Sequence, residues 1–291
     1  MIDALFDGLI APFAEFEFMR RALVGAVVLA VAAAPVGVLL MLRRMSLTGD
    51  AMAHAILPGA AIGYLIAGLS LPAMTIGGLV AGVVVAIGAS AVARASVLEE
   101  DATLAAFYLV SLALGVTIVS MRGSNVDLLH VLFGSVLALD DAGLMLIAGI
   151  ATVTLVALAV ILRPLVVETV DPSFLGSVSR TGPWVHFVFT GLVVLNLVGA
   201  FQALGTLLAV GLMMLPAASA RLWVDDFTAM VALAVGFAVT AAVGGLIVAY
   251  HGELPAGPAI ILAAGAIYVL SLFGGRRGLL GRLFGRRHLE A

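Results

Sequence analysis

The 291-residue chain contains no cysteine and no lysine. Without cysteine it has no disulfide framework, no thiolate metal site and no redox motif, and thiol usage says nothing about compartment. Without lysine it has no G-x-x-x-x-G-K-[ST] phosphate loop, so it is not a P-loop ATPase. Charge is scarce too. Charged residues make up 11% of the chain, against about 25% in a soluble domain, which is too little to cover a globular surface. No H-E-x-x-H helix occurs, which removes the common intramembrane metalloprotease arrangement. No serine nucleophile arrangement stands out. Four acids (Asp3, Asp7, Glu15 and Glu17) precede the first base, Arg20, so no cleavable signal is evident.

What is abundant is apolar: 63% of the residues, with a mean hydropathy of +1.24. The apolar runs are long and continuous, unlike the alternating pattern of an outer-membrane barrel. The fold class is therefore all-α, a polytopic helical membrane bundle. Residues 1–22 mix Leu5, Phe6, Leu9, Phe13 and Phe16 with acids and read as an amphipathic helix at the interface. Residues 23–273 form the transmembrane domain. Nine apolar stretches near the roughly 20 residues a bilayer demands lie at Leu23–Leu42, Ala51–Leu69, Ala73–Val92, Thr103–Val119, Ala142–Leu162, Val185–Gly199, Ala203–Ala220, Phe227–Ala249 and Ala256–Phe273. A shorter piece, Asp127–Leu139, is bounded by Arg122, Asp140 and Asp141 and reads as a short surface helix rather than a span. Residues 274–291 form a basic tail.

Arginine position orients this topology. With the N-terminus outside and nine crossings, the inner segments hold Arg43, Arg44, Arg94, Arg163, Arg180, Arg221, Arg276, Arg277, Arg282, Arg286 and Arg287, and only Arg20, Arg21 and Arg122 lie outside. The positive-inside rule favours that orientation, which puts the C-terminus inside a cytoplasmic membrane. The longest link between spans, Arg163–Trp184, is then cytoplasmic. Its Asp171-Pro172 pair can start a short helix, a natural dock for a motor subunit; a solvated loop is the alternative. The tail arginines read as an anchor to anionic lipid.

Charge at mid-depth in a bilayer costs about 2.5–3.5 kcal/mol per Asp or Arg. The stretch Ser46-Leu47-Thr48-Gly49-Asp50-Ala51-Met52-Ala53-His54-Ala55-Ile56-Leu57-Pro58-Gly59 carries such charge into a span. Asp50 and His54 are four residues apart and share one helix face. Pro58 has no N–H, so the carbonyl of His54 is expected to lose its helical donor. Carboxylate, imidazole and carbonyl suit a borderline divalent cation such as zinc, manganese or iron(II), and the stripe reads as facing the path of a metal ion. For Asp50 alone, a helix N-terminal acid favoured by the dipole is the bland reading. For His54 alone it is a satisfied packing residue.

The remaining candidates are weaker. His251 and Glu253 join the last two spans on the outer side, and His130 lies one turn from Asp127; each is an outer access site for the ion or a plain polar turn. No role is assigned to His186 or His288. Met213 and Met214 precede Pro216 and are packing residues or soft ligands. Pro35, Pro58, Pro216 and Pro258 each free a carbonyl one turn earlier. Gly59 with Gly63, and Gly78 with Gly82, have the spacing of closely packed helices.

The block Arg43–Gly59 resembles the permease subunits of ATP-binding-cassette importers for zinc, manganese and iron(II). Leu132-Phe133-Gly134-Ser135-Val136-Leu137, Gly205-Thr206-Leu207-Leu208 and Leu215-Pro216-Ala217-Ala218-Ser219-Ala220-Arg221 support the likeness, which extends from about Arg21 to Phe273. The resemblance implies a fold similar to the cobalamin and siderophore importers. It also implies a homodimer with the path on its two-fold axis, two cytoplasmic ATPase subunits and an external solute-binding protein. Asp50 and His54 match the family's intramembrane acid and histidine. The Asp171-Pro172 segment matches its coupling helix, which assigns ATPase coupling to Glu168, Asp171, Pro172, Phe174, Leu175 and Gly176, although Leu175, Gly176 and Ser179 stand where the family usually has Ala, Arg and Gly. No cofactor is held permanently; the ligand is the transported Zn2+, Mn2+ or Fe2+, with zinc favoured. The chain itself is then no enzyme. The alternative is a proton- or sodium-coupled secondary transporter without an ATPase, with Asp50 as the coupling carboxylate.

Overall fold

The computed structural model describes residues 10–68, 70–98, 100–121, 136–171, 174, 179 and 181–279, and every regular element among them is helical. A short helix α1 (Ala11–Glu15) stops at Phe16, whose extended backbone breaks the chain before α2 (Glu17–Leu42). There follow α3 (Ser46–Ala55), α4 (Leu57–Ala67), α5 (Leu71–Ala95) and α6 (Glu100–Met121). A single 3-10 turn (Val136–Ala138) leads to α7 (Asp141–Val170), α8 (Gly182–Leu204), α9 (Thr206–Arg221), α10 (Phe227–Gly252) and α11 (Ala256–Gly274). Among the described residues eight helices are long and apolar enough to cross a membrane, α3 and α4 counting together as one. The remaining predicted stretch, Ala203–Ala220, is α9, which has 16 residues and is about 24 Å long.

Two boundaries and one proline differ from the sequence-based expectation. The first span starts at Glu17 rather than Leu23, so residues 17–22 belong to it and not to a separate interfacial helix. In the first turns of that span Arg21 pairs with Glu17 at 2.8 Å and with Asp141 of α7 at 3.0 Å. The fifth span runs on to Val170, past Pro164, which takes the start of the predicted cytoplasmic link into helix. Pro258 interrupts nothing, because it is the third residue of α11 and an N–H there has no helical acceptor. In the tail, Arg277 is engaged by the protein: its guanidinium pairs with Asp225 and its N–H donates to the Leu222 carbonyl at 2.9 Å.

Side-chain contacts show which helix ends share a side. Arg21 meets Asp141, and the Phe16 ring lies 5.8 Å from that of Tyr250, so the starts of α2 and α7 and the end of α10 are together. At the other end Arg43 meets Glu168, so α2 and α7 are parallel. The crossings of α3–α4, α5 and α6 separate them, which returns the chain to the side it left. The chain thus enters α7 on the side where α2 began; the predicted surface helix Asp127–Leu139 lies, up to residue 135, outside the described residues.

Helices in lipid gain no hydrophobic drive from each other and associate through close packing. The core helix α2 is accordingly rich in buried alanine: Ala22, Ala26, Ala30, Ala32, Ala33 and Ala34. Gly37 lets the backbone of α9 approach at the Met213 carbonyl, and Met213 is buried there as a packing residue. The predicted glycine pairs work the same way. A Cβ on Gly59 would collide with the Gly77 carbonyl, and one on Gly63 with that of Ala73, so α4 and α5 touch backbone to backbone. Gly78 and Gly82 instead receive Val198 and Val194 of α8. One polar clasp sits inside: the buried Asn196 donates to Thr154 Oγ1 at 2.7 Å, joining α8 to α7.

Gly59→Ala is expected to destabilise the protein by about 1–3 kcal/mol, the usual cost of overpacking. Gly149→Ala, where nothing lies within 4 Å of an added Cβ, should be neutral or slightly stabilising through helix propensity. Thermal unfolding of the two variants in detergent checks the contrast.

Candidate functional site

The turn between α2 and α3 is tight and specific. Arg44 adopts φ 61°, and the Met45 N–H reaches back to the Leu40 carbonyl at 2.9 Å. A non-glycine residue in this left-handed position is uncommon. The turn launches α3, which carries Asp50 and His54 on one face as the four-residue spacing predicts. His54 Nε2 lies 3.9 Å from Asp50 Oδ1, too long for a direct hydrogen bond. Two donors on one ion with bonds of about 2 Å sit roughly 3 Å apart, so a small side-chain rotation closes this gap around a cation.

The helix then breaks at Ile56, where Pro58 opens α4. The expected loose carbonyl at His54 is not what the break produces: the Ile56 N–H turns back to it. The Ala55 carbonyl is the one rescued from elsewhere. It accepts the buried Ser111 hydroxyl of α6 at 2.8 Å. Gly115, one turn further along α6, packs against Leu57 and the nitrogen of Pro58. Broken backbone at membrane depth is tolerated when protein groups satisfy it, and α6 does so here.

Asp50 borders two clefts. One, of about 300 Å³, lies between α3 and the start of α9 and is lined by Asp50, His54, Thr206, Leu207 and Ile261 among others. A second helix break floors it, at Gly205, whose φ of 96° ends α8 and opens α9. The other cleft, of about 150 Å³, holds Asp50 with Thr48, Asp101 and Tyr108. The Tyr108 ring is 6.3 Å from that of His54. The Asp50 side chain is 61% exposed and that of His54 28%, while His54 Nδ1 is buried without a hydrogen-bond partner. Among the described residues no group of three or more His, Cys, Asp or Glu is placed to hold a metal ion. One chain thus offers an oxygen and a nitrogen ligand, not a closed cage.

The other predicted residues are dispersed. His251 and Glu253 cap the end of α10, Glu253 at φ 51°; both are exposed, and neither lines the clefts at Asp50. Asp171 ends α7, and its carboxylate accepts the Phe174 N–H at 2.9 Å, the N-cap geometry expected of a new helical turn. Glu168 points inward, to Arg43. His130, Pro172, Leu175 and Gly176 lie outside the described residues. Ser111, Asp101 and Tyr108 were missed by sequence reasoning. The acid run that contains Asp101 was a visible signal for it; a lone serine within an apolar span was a fainter one for Ser111.

The profile of the ABC 3 transport family matches residues 15–275 of the chain. The chain is 31% identical to the manganese import system permease protein ScaB of Streptococcus parasanguinis, over 94% of this chain and 95% of that one. It is 28% identical to a protein of Haemophilus influenzae described as a probable iron transport system membrane protein, over 92% of this chain and 97% of that one. Among solved structures, PsaBC from Streptococcus pneumoniae in complex with Fab superposes with a TM-score of 0.83 at 31% identity, covering 98% of this chain and all of that one.

Ser111→Ala should cost about 1–3 kcal/mol, because it strands the buried Ala55 carbonyl. Ser111→Thr, which keeps the hydroxyl, should recover most of the loss. Thermal unfolding of the purified variants reads the difference.

Proposed function

The chain belongs to the ABC 3 transport family, and on that premise we propose that it is the membrane-spanning permease subunit of an ATP-driven importer of divalent transition-metal ions. Relatives matched over nearly their full length carry metal-transport or metal-import names, most of them manganese. One observation carries the site: an acid and an imidazole 3.9 Å apart on a broken span that opens onto two clefts. Asp50 and His54 form a transient station, since two ligands hold an ion without trapping it. Asp101, which shares the second cleft with Asp50, continues the route toward the side that bears Arg43. His251 and Glu253 lie at the opposite, outer end and offer a first contact, together with His130.

The exposure of Asp50 in a single chain supports a homodimer. A carboxylate 61% exposed within a span does not face hydrocarbon; a second copy across a two-fold axis encloses it. The N-terminus lies outside and the arginine-rich ends face the cytoplasm. The chain has no nucleotide loop, so hydrolysis resides in separate ATPase subunits. Asp171 and the exposed Phe174 begin the segment that docks them, and an external solute-binding protein delivers the ion. Docking and hydrolysis shift the gates between outward and inward access. Among zinc, manganese and iron(II), carboxylate and imidazole discriminate little. The names of the relatives move the first choice from zinc to manganese.

Uptake of Mn2+, Zn2+ and Fe2+ into liposomes holding the permease and its ATPase subunits is the test. ATP-dependent uptake, reduced by more than about tenfold in His54→Ala with assembly intact, is the expected result. Undiminished uptake by His54→Ala removes the station. Uptake driven by a pH gradient without ATPase establishes the secondary transporter instead.

A further inference from the structure

Arg43 touches both stems of the segment assigned above to the ATPase. Its side chain is 9% exposed and that of Glu168 is 11% exposed; Arg43 Nη2 lies 3.1 Å from Glu168 Oε1, on the last turns of α7. The same nitrogen lies 3.4 Å from His186 Nδ1, and the guanidinium sits 5.2 Å over the Phe189 ring; both residues are on the first turns of α8. Glu168 precedes the docking segment by three residues, and His186 follows its end at Thr181 by five. On its other side, Arg43 is joined through the tight Arg44 turn to α3, and it precedes Asp50 by seven residues. One guanidinium therefore connects the two ends of the cytoplasmic segment to the helix that carries the ion ligands.

Stability does not account for this pair. Removing two charges from water is expensive, and well-packed apolar replacements of buried pairs are often neutral or stabilising. The pair is also incompletely satisfied: Arg43 Nη1 and Glu168 Oε2 are buried without hydrogen-bond partners. A planar guanidinium can meet a carboxylate, an imidazole and a ring face together, which an ammonium does less well. We propose that Arg43 is a positioning residue that transmits relative movement of the end of α7 and the start of α8 to α3, so that ATP hydrolysis moves Asp50 and His54. The proposal rests on the importer reading given above.

The test is the ratio of Mn2+ taken up to ATP hydrolysed by the complex of permease and ATPase subunits in proteoliposomes. Arg43→Gln and Glu168→Gln are each expected to lower the ratio about fivefold or more, the low end of ordinary coupling between sites, while hydrolysis continues. The double variant should be no worse than either single one, and Arg43→Lys should recover part of the loss. Because a lone buried charge can prevent folding, the paired Arg43→Met/Glu168→Leu variant removes both charges; it should assemble, hydrolyse ATP and transport poorly. A wild-type ratio in that assembled variant, or a loss of uptake that only follows a loss of hydrolysis, overturns the proposal. Wild-type uptake that ignores ATP overturns the importer reading and this inference with it. A coupled wild type beside an equally coupled variant overturns this inference alone.

Discussion

A carboxylate cannot rest against lipid chains, and Asp50 stands 61% exposed on a helix that crosses them. That conflict organises the surrounding structure. It requires an aqueous or protein-lined space beside α3, and the two clefts at Asp50 supply one. It also accounts for the breaks at Ile56 and Gly205, since irregular backbone at depth belongs where a cavity or a protein neighbour satisfies it. His54 on the same face turns a lone acid into two donors of the kind transition metals accept.

Holding a broken helix in place takes neighbours that approach closely. Ser111 caps the Ala55 carbonyl, and Gly115 admits Leu57 and Pro58. On the far side of the break, Gly59 and Gly63 bring α5 against α4 at backbone distance. On the near side of the break, α3 packs its buried Thr48, Gly49, Met52 and Ala53 against its neighbours α6, α8 and α9, and the Arg44 turn joins it to α2.

Much of this was legible in local sequence. The spans, the shared face of Asp50 and His54, the break at Pro58 and the packing glycines all follow from spacing along one helix. The membership in a metal-importing permease family was legible in the block from Arg43 to Gly59. What was not legible depends on partners distant in sequence. The Ala55 carbonyl is satisfied from residue 111, and Arg43 finds Glu168, His186 and Phe189 more than a hundred residues away. The pairing of Arg21 with Asp141 is distant in the same way. Glu168 read as a coupling residue from its place beside the segment that resembles the family's coupling helix; its buried partner Arg43 turns it inward.

The central claim is that the face of α3 bearing Asp50 and His54 borders the ion's passage rather than lipid. Because the chain lacks cysteine, a single introduced thiol reports its own surroundings. In the assembled transporter turning over ATP, the thiol of His54→Cys should react with a water-soluble, membrane-impermeant reagent. That of Ile76→Cys, exposed on the apolar surface of α5, should not. An unreactive thiol at position 54 that only lipid-soluble reagents reach contradicts the account.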